Sequence, residues 1–355
     1  MIASFVSASF LAASVVAVQP AADHAPAQEV FDALAQNFPA LNATVMVRGV
    51  IAWEAEGGLA PDENDGVEQD YNFYSIAKML TGMAYARLEA DQGLDLDQGV
   101  RDIDPGLPEA YDGVTLRHLL SHTGGVRHYR GERDWRSFNE RRCETPADAL
   151  DHFIDDRLIA RPGERHQYTT FGFTLLSHLL VELTGADSYD GAMRAVLGDV
   201  YSARTDRVGT EKAVTYLGEP GGFEVIELSA ECKFGGGGLL ASSRDLAAMG
   251  AAFAGGAVIA PEDFSSVLTG QTLNDGSSTG MAYGMGVGYS EEFGAHYAMH
   301  SGGSPGGRGF LLVLPEPEIV VALTANSDGP RHADAALELG AYFLTLQGEN
   351  DRPEN

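Results

Sequence analysis

Strand-like segments gather at the two ends of this chain, and helical periodicity fills its middle. Ala43 to Trp53 reads as one β-branched, alternating strand, followed by a Gly/Asp/Asn/Pro loop to Gly66. Four more strands are predicted late in the chain, at Met285 to Tyr289, Tyr297 to Ser301, Phe310 to Leu314 and Ile319 to Ala325. Strands at both ends point to one sheet built from N- and C-terminal segments, with a helical insertion beside it. The predicted class is α+β in a single domain over 23–355. Its sheet-bearing part takes about 26–74 and 270–348, and its helical insertion about 75–269.

The helices follow from apolar residues three and four apart. Val30, Phe31, Leu34 and Phe38 mark one over Gln28 to Phe38. Another begins at Ser75, buries Ile76, Met79, Leu80, Met83 and Leu88, and ends at Gly93. A leucine-rich helix covers Phe171 to Glu182 and stops at Thr184-Gly185; Ser243 is the expected N-cap of a helix through Ala252; a last helix runs from Ala333 to Leu346. Gly235 to Gly238 lacks the Lys-Ser/Thr of a phosphate loop and reads as a tight turn.

Net charge is −28 over 355 residues, with 44% apolar content. Such a surface repels phosphate backbones and anionic lipid, so nucleic-acid binding and polybasic membrane binding are disfavoured, and neither is an expected partner. The first 22 residues carry no charged side chain, and Ile2 to Val18 is apolar with small residues at Ala21 and Ala22. Residues 1–22 read as a secretory signal peptide, ahead of an uncleaved anchor or an ordinary helix. The expected location is exported, periplasmic or secreted. Cys143 and Cys232 are the two cysteines, read as unpaired structural residues because spacing alone does not bring them together.

Ser75-Ile76-Ala77-Lys78 places a hydroxyl and an amine three residues apart on one helical face. Serine becomes a nucleophile when a base takes its proton, and a lysine with a depressed pKa can be that base. The chain has three lysines against twenty arginines, so a lysine here runs against its own background. Arginine cannot replace it, because it keeps its proton in proteins. A helix start adds partial positive charge and a free N–H for an oxyanion. Tyr168, in Tyr168-Thr169-Thr170, can share or relay the proton. In His300-Ser301-Gly302-Gly303, His300 can bond a substrate carbonyl or carboxylate, Gly302 leaves room for substrate, and the Gly303 N–H can be the second oxyanion donor.

Other patterns carry less. Gly302-Gly303-Ser304-Pro305-Gly306 matches a nucleophile-elbow spacing, but Pro305 has no N–H and a strand follows. The pairs His118/His122 and His296/His300 lack a third ligand, so no metal site is assigned. Arg308 is read as a surface ion pair ahead of a substrate contact.

Together the motifs resemble the β-lactamase/penicillin-binding-protein family of serine hydrolases, especially its class C-like branch. Ser75-x-x-Lys78 resembles the first motif, Tyr168 the tyrosine of Y-x-N, and His300-Ser301-Gly302 the K/H-T/S-G motif. Leu119 to Gly125, Gly236 to Leu240 and Tyr283 to Gly286 also look familial. The run Tyr168 to Leu176 is most similar to mitochondrial serine β-lactamase-like proteins and their bacterial relatives. Thr170 stands where the family has asparagine, and His300 replaces its commoner lysine. The resemblance implies a β-lactamase/transpeptidase-like fold, an antiparallel sheet flanked by helices with a mostly helical subdomain.

The expected activity is two-step acyl transfer through Ser75 without a cofactor. Lys78 and Tyr168 manage the proton, Ser75 and Gly303 N–H groups hold the oxyanion, and Thr170, His300, Ser301 and Gly302 shape the substrate site. The expected partner is a small-molecule or peptide substrate: an ester or peptide-like amide first, then a D-alanyl peptide, then a β-lactam. The alternative is a binding or scaffold protein that kept the fold, for which Thr170 is the sequence feature. Oligomeric state is left open.

Overall fold

The computed structural model describes residues 24–59, 66–330 and 332–350. The signal peptide expected over 1–22 lies outside the described residues. Among the described residues there are twelve strands: β1 (Leu41–Val47), β2 (Val50–Gly57), β3 (Tyr71–Asn72), β4 (Arg204–Thr205), β5 (Thr215–Leu217), β6 (Glu224–Ile226), β7 (Leu239–Ala241), β8 (Met281–Ala282), β9 (Met285–Ser290), β10 (Ala295–Ser304), β11 (Gly307–Leu314) and β12 (Ile319–Ala325). The longer helices are α1 (Ala25–Ala35), α2 (Ala77–Gln92), α3 (Glu132–Asn139), α4 (Thr170–Thr184), α5 (Tyr189–Leu197), α6 (Ser243–Ala254) and α7 (His332–Asn350).

One antiparallel sheet of seven strands runs in the order β2-β1-β12-β11-β10-β9-β8. Its closing pair is β1 with β12, in register from Leu41 opposite Ala325 to Val47 opposite Ile319, which joins the two ends of the chain. The single strand expected over Ala43 to Trp53 is instead a hairpin. Arg48 and Gly49 both have positive φ, 51° and 74°, and this left-handed pair reverses the chain between β1 and β2.

Successive residues of a strand face opposite ways, and both faces here are covered. Phe310, Leu312, Val321 and Leu323 pack against Phe31, Leu339 and Phe343 of α1 and α7. Leu311, Val313, Val320 and Ala322 enter the larger core with Met249 and Phe253 of α6. Thus α6, which lies within the segment expected to be helical insertion, packs on β1, β11 and β12. Its N-cap is Ser242, whose hydroxyl accepts the Asp245 N–H at 3.0 Å; Ser243, the expected cap, is its first residue.

Between sheet and helical mass runs α2, buried without a break from Ala77 to Ala86. Gly82 makes the crossing possible: a Cβ there would stand 1.5 Å from the Tyr283 carbonyl oxygen. A second sheet, β3-β7-β4, was not foreseen; its strands are two or three residues long, too short for periodicity to show. It delivers the chain from Tyr71-Asn72 directly to the start of α2.

Cys143 and Cys232 form a disulfide across 89 residues, contrary to the unpaired reading. The pairing is tertiary: the loop before 146 lies against the 3-10 turn Glu231–Gly236, where Glu231 also accepts the Cys143 N–H at 3.1 Å.

Candidate active site

After β3 the chain must turn sharply into α2, and Tyr74 does this with a φ of 49°. The Asn72 side-chain oxygen accepts the Tyr74 N–H at 2.7 Å and holds that backbone in place. Strained backbone of this kind persists where its surroundings over-determine it, often beside reacting groups. Ser75 follows in the short 3-10 turn Tyr74–Ile76, and α2 begins at Ala77.

One turn later, Lys78 is fully buried with its Nζ 3.2 Å from Ser75 Oγ. Nζ also donates to the Gly236 carbonyl at 2.5 Å and lies 4.9 Å from the centre of the Tyr168 ring. Burial holds the Lys78 ammonium well below its ordinary pKa, and the charge of Lys233 lowers it further. A neutral amine at this distance has a lone pair that can accept the serine proton. Tyr168 completes the group, its hydroxyl donating to Ser75 Oγ at 2.7 Å. Burial pushes that phenol up to about 12, the bond to Ser75 only partly offsetting it. At neutral pH the Tyr168 phenol therefore keeps its proton.

Two histidines hold the approach to Tyr168. His122 Nδ1 accepts the Thr169 N–H at 3.2 Å, and His128 Nδ1 accepts the Thr170 N–H at 3.2 Å. Both are kept neutral, burial being the main cause: His122 is held well below its ordinary value and His128 at about 4. Thr169, at the N-cap of α4, accepts the Gly172 N–H at 3.3 Å and donates to the Arg127 carbonyl at 2.6 Å. Thr170, buried at the start of α4, is among the residues that line the cleft.

On the opposite wall, β10 pairs with β9 only from Ala295 to Met299, so 300–304 overhang beside the nucleophile. In an antiparallel strand every second N–H faces away from a given neighbour, which leaves this overhang with donors not used by β11. A Cβ on Gly302 would stand 2.0 Å from the Phe73 carbonyl oxygen and 3.4 Å from Ser75 N, so only glycine lets the strand lie this close to the nucleophile turn. Gly303 and Ser301 open into the cleft. His300, at the start of this overhang, lies on the cleft wall. Its Nδ1 donates to its neighbour Ser301's carbonyl at 2.5 Å, and burial is the main cause that holds it at about 4. At neutral pH its remaining nitrogen is an acceptor, suited to a substrate N–H or O–H.

These groups line a cleft of about 410 Å³ that contains Ser75, Tyr168, Thr170, Lys233, His300 and Gly303. Lys233, Trp135, Tyr129 and His128 were not singled out in the sequence. The scarcity of lysine was the available signal for Lys233; the others became visible only through contacts across the fold. Ser304 leads into the β10–β11 turn, with strand rather than helix beyond. His118 turns back to Thr115 at 3.0 Å, while His122 lies past the end of the short helix Leu116–Leu120. His296 pairs with Glu316 at 2.5 Å, and Arg308 with Asp328 at 2.8 Å.

A family model described as Beta-lactamase matches residues 27–343. The mitochondrial serine beta-lactamase-like protein LACTB of Homo sapiens is 25% identical over 394 residues, covering 82% of this chain and 72% of the relative. Penicillin-binding protein 4* of Bacillus subtilis is 28% identical over 124 residues, 34% of this chain and 26% of that one. Among solved structures, a D-stereospecific amidohydrolase from Streptomyces sp. aligns with a TM-score of 0.72 at 21% identity, covering 90% of this chain and 98% of that chain. The octameric penicillin-binding protein homologue from Pyrococcus abyssi aligns at 0.70 and 22% identity, covering 92% and 78%. At such identities the structural likeness speaks for the fold alone, whereas the family match spans nearly all of the described chain. The chain belongs to the β-lactamase family of serine hydrolases and has its β-lactamase/transpeptidase-like fold.

Proposed function

We propose that this chain is a hydrolase that works through a covalent acyl-enzyme on Ser75. The observation that carries the reading is the convergence on one hydroxyl of a buried lysine at 3.2 Å and a protonated tyrosine at 2.7 Å. In the first step neutral Lys78 takes the Ser75 proton while Oγ attacks the substrate carbonyl. The Ser75 and Gly303 N–H groups stabilise the oxyanion. As the tetrahedral adduct collapses, Tyr168 gives its proton to the leaving group and recovers one from Lys78. Water then attacks the acyl carbonyl, losing its proton to the same pair, and the proton returns to Ser75 as the acid departs.

The substrate class favoured is an ester or peptide-like amide, ahead of a D-alanyl peptide or a β-lactam. Thr170 brings a short hydroxyl where a carboxamide would reach a substrate amide, and His300 is neutral, so neither reproduces the contacts that the resemblance implies for a β-lactam substrate. The structural neighbour named as a D-stereospecific amidohydrolase is in keeping with an amide substrate. The disulfide supports an oxidising compartment, and with it the exported location.

Rates on p-nitrophenyl butyrate and on D- and L-alanine p-nitroanilides, for wild type and Ser75→Ala, test the reading. Turnover by wild type with a loss of about 10³-fold or more in the variant is expected. Equal rates in the two proteins contradict it and favour the scaffold alternative.

A further inference from the structure

Lys233 is a cation that the reaction above does not consume. It is only 6% exposed, yet it lines the cleft that holds Ser75. The ammonium lies 5.7 Å from the Tyr74 ring and 5.8 Å from the Trp135 ring, inside an aromatic corner. Among the described residues its Nζ has no hydrogen-bond or ion-pair partner. The carboxylate that acts on it, Asp206, is already held by Lys212 at 2.8 and 2.9 Å and by Asn72 at 3.2 Å. A buried ammonium without a partner is costly, and aromatic faces recover only part of that cost. Folded proteins keep such groups where a ligand supplies the missing charge.

The surroundings agree. His300 is neutral, so the positive charge that can meet an anion in this cleft comes from Lys233, on a different element. A broader groove of about 1570 Å³ continues from the cleft through Tyr129, Trp135 and Pro305. Five cations line it, Arg136, Arg141, Arg142, Arg207 and Lys212, against four carboxylates. On a chain of net charge −28 that balance marks the groove as the approach an anion is not turned away from.

We propose that Lys233, with Tyr74 and Trp135, forms a subsite for a substrate carboxylate, so that the acyl group transferred to Ser75 carries a carboxylate a few bonds from its reacting carbonyl. This rests on the acyl-enzyme reading and names its substrate class. Lys233 is the specificity residue, forming an ion pair and taking no part in bond making. At about 8 its pKa, lowered chiefly by burial, leaves it mostly charged at pH 7, and the bound carboxylate raises that value further.

Two measurements test it. The first is kcat/KM for mono-p-nitrophenyl glutarate against p-nitrophenyl valerate, a neutral ester of similar length. Wild type should prefer the glutarate ester at least tenfold, Lys233→Met should bring the ratio near one, and Lys233→Arg should keep most of it. A ratio that Lys233→Met leaves unchanged, or no preference in wild type, overturns the subsite. The second is Trp fluorescence on titration with glutarate in Ser75→Ala, read against Ser75→Ala/Lys233→Met at the same ionic strength. A saturable change at Trp135 that disappears with Lys233→Met is expected; no saturable change overturns the proposal. Saturable binding with no turnover of either ester would instead sink the acyl-enzyme reading and leave the subsite standing. Thermal melts confirm the fold of each variant, and loss of the unpaired charge should leave Lys233→Met melting no lower than wild type.

Discussion

A lysine that carries its proton cannot take one from serine, so the chemistry depends on where Lys78 sits. Burial and the charge of Lys233 both favour its neutral form. Only the neutral form is a base, so kcat/KM should rise with pH as Lys78 loses its proton and level off well below 10.5, its ordinary value. Removing the Lys233 charge should move that rising limb to higher pH; a limb that stays in place contradicts the electrostatic account. Lys78→Arg should lose about 10³-fold in kcat/KM, since a guanidinium keeps its proton, and stopped-flow or steady-state assays on a p-nitrophenyl ester would show it. Ser75 and Lys78 were legible in the sequence because three helical residues define one face whatever the rest of the chain does. Tyr168 was legible through its motif. Lys233 was not, because its relation to Lys78 is made by folding two distant segments together, and no local pattern encodes that.

At the scale of elements, the site is a meeting of the β3–α2 turn, the start of α4 and the overhang of β10. Gly302→Ala tests that meeting. Its Cβ would collide with the Phe73 carbonyl oxygen at 2.0 Å, and backbone cannot swing aside as a side-chain end can. The strand must then retreat from Ser75, costing about 1–3 kcal/mol of stability and about 10²-fold in activity. Chemical denaturation and ester assays measure the two separately, and full activity would contradict the close approach. The elements that periodicity reveals are the long ones: the strand Ile319–Ala325 was read with its observed bounds, and α4 within two residues. The hairpin at Arg48-Gly49 was missed because a β-branched run continues on both sides of the turn. Strands β3, β4 and β7 were missed because two or three residues cannot display a period.

Over the whole molecule, β1 beside β12 ties the chain's ends into one sheet, as strand content at both ends implied. The disulfide adds a second long-range tie. Closing 89 residues restricts the unfolded chain, so Cys143→Ser/Cys232→Ser should lower unfolding free energy by about 2–4 kcal/mol, measured by urea titration. No change would mean the bond does not persist in the folded protein in solution. Its pairing was illegible for the same reason as Lys233: cysteine spacing says nothing about which loops fold against which. The whole fold nevertheless converges on one hydroxyl, and that is what most needs testing. Intact-protein mass after exposure to a fluorophosphonate, with peptide mapping and Ser75→Ala as control, does so directly. One adduct per chain, mapped to Ser75 and absent from the variant, is the expected result. A folded wild-type protein that takes up no reagent, or takes it up equally in Ser75→Ala, would contradict the account.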